Sequence, residues 1–189
     1  MRCNRAGRSQ NSPTFTHCCD PGRQGGPSSR KKMQAASLAK IRKELKNLPP
    51  EDLIVLVNRL ARYKKENKEL LSYLLFESID EQGYIDQVKR FIESEFETIN
   101  VRNLYWARKG IRRILRLTNK HIKYSGLTST EIELRAHFCR TLRDSGIPIQ
   151  RSAALSNLYD REVERIEKAI KKLHEDERMD FAGVVEELG

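Results

Sequence analysis

The chain has 189 residues, 33% of them charged and 38% hydrophobic, with a formal net charge of +10. That length suits one domain with a sizeable core, or one domain and a tail, and leaves little room for two. No run approaches the roughly 20 consecutive apolar residues that a membrane span requires, so no membrane is expected among the partners and a soluble, cytoplasmic chain is the reading.

The charge is unevenly spread. Residues 1–32 carry seven Lys or Arg against one acid, Asp20, which leaves twenty-nine against twenty-five for residues 33–189. This head also holds Cys3, Cys18 and Cys19, and apart from Met1 its one large apolar side chain is Phe15. It cannot bury enough surface to offset its ordering entropy, so a disordered basic head is expected. It has no apolar core of a secretory signal and no amphipathic pattern of a transit peptide. The alternative is that Met33 is the native start, since the helical pattern begins almost at once after it. Beyond the head only Cys139 remains, which points away from a disulfide framework and toward a reducing cytoplasm.

From Met33 the pattern is helical nearly throughout, and a single helical domain over 33–178 is expected. "SLAKIRKELKN" spaces Leu38, Ile41 and Leu45 on one face and stops before Pro49-Pro50, because a residue preceding proline is pushed out of the α region. Pro50 suits the first turn of the next helix, with Glu51 and Asp52 at the positive end of its dipole. "YKKENKELLSYLLFES" is the most apolar stretch, through Leu70, Leu71, Leu74, Leu75 and Phe76, and is expected at the centre of the core. "DEQGY" breaks the pattern at Gly83, and Ile85, Val88, Phe91, Ile92 and Phe96 resume it. A long basic helix follows, closed by Gly126. "TSTE" then offers a capping box, with Thr128 as N-cap and Glu131 three residues on. That helix carries Ile132, Leu134, Phe138 and Leu142 and ends at "SGIP". A short segment leads to Asp160, a good N-cap for "REVERIEKAIKKLHEDE", where Glu164–Lys168 and Glu167–Lys171 stand four apart in the favourable order. Residues 179–189 form a tail whose Phe181, Val184, Val185 and Leu188 suit a short docking helix.

No stretch alternates apolar and polar residues long enough for a sheet. The predicted fold is all-α, about seven or eight helices in an antiparallel bundle or a short stack of helical hairpins. The segment "LAKIRKELKNLPPEDLIVLVNRLARYKKENKELLSYLL" resembles the start of uncharacterised bacterial all-helical proteins grouped as a domain of unknown function. In these a basic first helix leads through "L-(S/P)-x-E-x-L-I" into an apolar one. The resemblance covers about a quarter of the chain and implies helical architecture, with no chemistry attached.

The most distinctive stretch is "YWARKGIRRILRLTNKHIKYSG", with no acid between Glu97 and Glu131. At about 100° per residue, Leu104, Ile111, Leu115 and Ile122 fall together, flanked by Ala107, Ile114 and Thr118. The opposite arc gathers Arg102, Lys109, Arg112, Arg113, Arg116, Lys120 and Lys123. One reading makes this the solvated back of a packed helix, paired with acids such as Glu93, Glu95, Glu97 or those of the 160–187 segment. The other makes it a phosphate-tracking surface. Trp106 and Tyr124 lie beside the basic arc and could stack on bases, although the core is their expected place.

Other chemistries find less support. Cys3, His17, Cys18 and Cys19 lack the C-x2-4-C spacing and second pair of a zinc site, and no metal or cofactor is expected. Glu133 and His137 share a helix face but have no nucleophile signature beside them. Nucleotide-binding, zinc-protease, nucleophile-elbow, calcium-loop and di-iron motifs are missing. The expected function is therefore a non-enzymatic binding module, first for a protein partner through a helical groove. Nucleic-acid binding, to RNA or DNA through Arg102, Lys109, Arg112, Arg113, Arg116, Lys120 and Lys123, is the alternative. An enzyme built around Glu133 and His137 comes third.

Overall fold

Every regular element of the computed structural model is helical among the residues it describes, 35–189, and no strand forms there. The expected basic head over 1–32, the start at Met33 and the Cys3, His17, Cys18 and Cys19 group lie outside those residues. Seven helices of eight residues or more are joined by two shorter ones near the C-terminus. The all-α expectation holds.

The chain divides into two compact units, 1–47 and 48–189. In the first, α1 (Leu38–Leu45) is capped by Ser37, whose hydroxyl accepts from the Lys40 amide at 3.4 Å, and Leu38 and Ile41 are exposed.

The second unit begins with α2 (Pro50–Tyr63), which starts at Pro50 as its fixed φ favours. Lys64 is extended (φ −143°, ψ 148°) and breaks the helix before α3 (Lys65–Ser72); the Asn67 amide ties the joint by donating to the Leu60 carbonyl at 2.9 Å. A π turn, Tyr73–Glu77, prolongs α3. Then come α4 (Glu81–Glu97), α5 (Leu104–Ser125) and α6 (Thr128–Asp144). A 3-10 turn at Ile149–Arg151 leads to α7 (Ala153–Ile170), and α8 (Glu175–Asp180) and α9 (Val184–Leu188) complete the unit.

The core lies among α4 to α7, and α6 is its centre. Thr130, Ile132, Leu134, Arg135, Ala136, Phe138, Cys139 and Leu142 are all buried along it. A helix buried on most sides needs neighbours on most sides, and α6 packs against α4, α5, α7 and α9. Ile92 of α4, Ile111 and Ile114 of α5, and Leu155 and Ile166 of α7 supply the facing side chains. This corrects the expected centre at 63–78. Of that stretch Tyr73 alone is buried, Leu70 and Leu71 are half-buried, and Leu74, Leu75 and Phe76 are exposed. Local apolar content measures how much surface a segment could bury, not whether a neighbour arrives to cover it.

Three boundaries also differ from expectation. Helix α4 starts at Glu81, because Asp80 accepts from the Gly83 amide at 2.9 Å and makes Gly83 part of the first turn. The Thr128 capping box does not form. Leu127 occupies the N-cap, and the nearby hydroxyls turn elsewhere: Ser125 and Thr130 both donate to Glu81 Oε1, at 2.5 and 2.6 Å, while Tyr73 donates to Oε2 at 2.6 Å. Asp160 caps nothing, since α7 runs unbroken through it. Leu155, Glu162, Ile166 and Ala169 form one buried stripe with no breaker between them.

Gly126 closes α5 as expected, at φ +70°, with its amide donating to the Ile122 carbonyl at 2.9 Å. No atom lies within 4 Å of where its Cβ would stand, so backbone strain is the whole effect of adding one. Gly126→Ala is expected to cost about 1 kcal/mol, read as a lowered urea midpoint with an unchanged slope.

Within the second unit the end of the chain packs back through α9 on α6 and α7. Leu188 is buried, its carbonyl accepts from the Tyr159 hydroxyl at 2.8 Å, and Glu187 is gripped by Arg140 through two bonds of 2.8 and 2.6 Å.

Candidate nucleic-acid interface

Helix α5 owes its start to Asn103, whose side-chain oxygen accepts from the amides of Tyr105 (3.0 Å) and Trp106 (3.3 Å). Ala107, Ile111, Ile114, Thr118 and Ile122 are its buried stripe, at the three- and four-residue steps that keep side chains on one helix face. The other side is left to the cations, and the helix contains no acid.

A groove of about 1180 Å³ runs along this helix. Its lining takes Lys109, Arg112, Arg113, Arg116 and Asn119 from α5, Arg165 from α7, and Glu95, Thr98, Ile99 and Asn100 from the end of α4 and the following loop. Gly110 permits that loop to come close, since a Cβ there would stand 3.1 Å from Ile99 Cγ1. A smaller hollow of about 360 Å³ shares Arg112, Leu115 and Arg165 with the groove and adds Asn157 and Arg161 of α7. The two form one trough between α5 and α7, lined by six basic side chains.

The acids of the trough are already engaged. Glu95 bonds Arg113 at 2.8 Å. Glu162, buried beneath the rim, bonds Arg165 at 2.7 Å and the buried Arg135 at 2.5 Å. Arg165 is thereby held in position by a carboxylate anchored in the core. Lys109, Arg112, Arg116 and Arg161 meet no carboxylate within 4 Å among the described residues. Of the other acids that the sequence offers to cover the stripe, Glu93 faces His137 and Glu187 faces Arg140 and Arg143.

The structure thus divides the seven predicted cations. Lys109, Arg112, Arg113 and Arg116 converge on the trough. Lys120 does not: it bonds Glu69 of α3 at 2.8 Å, and the Tyr124 hydroxyl donates to the same oxygen at 2.9 Å. The Lys120 hydrogen bond holds the Glu69 carboxyl below its usual range. Lys123 lines a separate hollow near Gly126, and Arg102 precedes the helix and lines neither part of the trough. Arg161 and Arg165 were absent from the sequence-based set. Their four-residue spacing put them on one face of α7, but nothing local showed that this face would meet α5.

Trp106 also departs from expectation. It is 56% exposed at the mouth of the groove, edge-on to the exposed Tyr105 with ring centroids 5.4 Å apart. Lys109 Nζ stands 4.6 Å from the Tyr105 centroid and 4.9 Å from that of Trp106. The indole falls at the edge of the apolar arc, and among the described residues no helix covers it. Tyr124 is half-buried through its bond to Glu69.

Glu133 and His137 do not pair with one another. Each turns to α4, Glu133 to Lys89 at 2.9 Å and His137 to Glu93 at 3.2 Å, the latter without the alignment of a hydrogen bond. His121 points inward, with Nδ1 2.9 Å from the Tyr84 hydroxyl. Burial lowers the pKa of both His121 and His137. Unfolding releases them to their ordinary value near 6.5, so between that value and the lower folded-state one the unfolded chain binds more protons. Stability therefore falls as pH drops below about 6.5 and levels off once the folded-state values are passed. Urea midpoints at pH 7.5 and 5.0 check this, and His121→Gln should narrow the difference between them. Cys139 is buried as well, its thiol pushed up to about 12 by desolvation. It is inert in the folded state.

Among the described residues no helix is long and apolar enough to cross a membrane, and no group of three or more His, Cys, Asp or Glu could hold a metal ion. Comparison with known family models, curated proteins and solved structures finds no match to this chain.

Proposed function

We propose that the chain binds a nucleic-acid strand along the α5–α7 trough. The observation that carries this reading is the trough's imbalance: six basic side chains against two acids that are already bonded to arginines, with an exposed indole at one end. Each cation that meets a phosphate releases a counterion, which gives affinity without sequence preference. Trp106 and Tyr105 then offer ring edges and faces on which a base of a single strand can stack. Arg165, fixed by Glu162, is oriented before the ligand arrives and loses little freedom on binding.

Trp106 is the one tryptophan of the chain, so it reports on its own site. Titration with a single-stranded oligonucleotide should change its emission saturably, and added salt should reverse the change. Emission that stays constant through the titration at low salt would count against strand binding in this trough.

Protein binding is supported by a different observation, the uncovered apolar residues of α2, and the two readings are compatible because the surfaces are separate.

A further inference from the structure

Helix α2 has fourteen residues and buries none of them. Ile54, Leu56, Val57, Leu60 and Tyr63 are all exposed, Leu60 by 50% and Tyr63 by 76%. An isolated helix of this length is marginal in water and takes its stability from whatever covers its apolar face. A contiguous stripe of this kind on a folded unit marks an interaction surface.

We infer that the occupant is the α2 of a second copy of this chain, packed antiparallel to form a two-fold dimer. The argument is the charge distribution along the helix. Glu51 and Asp52 stand at its start, Arg59 and Arg62 toward its end. The sequence is thus complementary to itself when reversed. At about 100° per residue Asp52 and Arg59 fall within about 20° of one another on the same edge of the stripe, and like edges face each other in an antiparallel pair. Crossing the two helices between Leu56 and Val57 sets Leu53 against the second copy's Leu60. The same crossing brings Asp52 beside the second copy's Arg59, and symmetry repeats both contacts. It also opposes the helix dipoles. A shallow hollow of about 280 Å³ between Leu56, Leu60 and Tyr63, rimmed by Arg59 and Arg62, offers a seat for an apolar side chain from the facing helix. The inference stands apart from strand binding, although a dimer would carry two troughs and bind a long strand more tightly through both.

The test is sedimentation equilibrium of the full chain from about 1 to about 200 µM, a range that captures dissociation constants of ordinary weak dimers. A dimer is expected, and Leu56→Glu with Leu60→Glu should make it monomeric while the near-ultraviolet signal of the folded unit persists. Asp52→Arg alone and Arg59→Asp alone should each raise the dissociation constant by about tenfold, because every like-charge contact is made twice. The two changes together should restore it to within about threefold, as a self-complementary pair requires. A monomer at the highest concentration would overturn the inference. A dimer indifferent to all these changes, or a double variant no better than the singles, would overturn it equally.

Discussion

Replacing Arg112 and Arg116 by glutamate is expected to weaken binding of a single-stranded oligonucleotide by at least about 100-fold at low salt, with thermal unfolding shifted by no more than a few degrees. Both side chains are exposed, both line the trough, and neither bonds a carboxylate among the described residues. Losing them removes no packing. Each reversal deletes a phosphate contact and adds a repulsion, and about 1.4 kcal/mol per site is enough for tenfold each. Arg113 is a poorer choice, because a glutamate there would face Glu95 and disturb the end of α4. Lys123→Glu is the matched control. It makes the charge change of one of those two reversals on the same helix, outside the trough, and should weaken binding by only about threefold through the long-range field. Competition anisotropy with the three proteins side by side reads all of this, and a loss per reversed charge as large in the control as in the double variant would mean that bulk charge, not the trough, carries affinity.

The largest effect on stability is expected at Glu162. It is 2% exposed, and its carboxylate bonds both Arg135, itself buried on α6, and Arg165 at the trough. Glu162→Ala leaves the Arg135 guanidinium inside the unit with only Glu131 for company, at 2.8 Å. Taking one of two partners from a buried charge costs up to about 3–5 kcal/mol, a large part of the 5–15 kcal/mol that holds an ordinary domain together. Urea unfolding should show the loss directly. Replacing both partners, Arg135→Met with Glu162→Leu, should recover most of it, because the cost lies in the unpaired charge and not in the missing pair. That double variant separates structure from binding: it restores the α6–α7 packing yet leaves Arg165 without its anchor, so strand affinity should stay below wild type while stability returns. A double variant as unstable as Glu162→Ala would show that the pair itself, through its geometry, holds α6 to α7.

Chain punctuation carried most of what the sequence revealed about the fold. Pro49-Pro50 stopped α1 and opened α2, Gly126 and Gly146 took the left-handed conformation that ends α5 and α6, and the period of Ile111, Ile114, Thr118 and Ile122 identified the buried side of α5. These are local facts, fixed within a few residues of where they are read. What stayed hidden was tertiary. Leu74, Leu75 and Phe76 look like a core and are exposed, because a helical wheel says which side of a segment is apolar and not whether another helix covers it. The same reason explains Trp106. Half of the trough was visible as the α5 stripe. Its other wall was not, because Arg161 and Arg165 come to line one hollow with Arg112 only when α5 and α7 both pack against α6. Lys120 was misplaced for the converse reason: its partner Glu69 lies 51 residues away in the chain. Asp160 and Thr128 show that a residue able to cap a helix does so only where the helix begins.

The most direct test of strand binding in the trough is the salt dependence of affinity for a single-stranded oligonucleotide, measured for the wild type and for the Arg112→Glu, Arg116→Glu variant. If the basic side chains of the trough hold about four to six phosphates, log K should fall against log salt with a slope of roughly −3 to −4 in the wild type and should flatten by about 1.4 in the variant. A flat titration at low salt, or a slope that the two reversals leave unchanged, would contradict it.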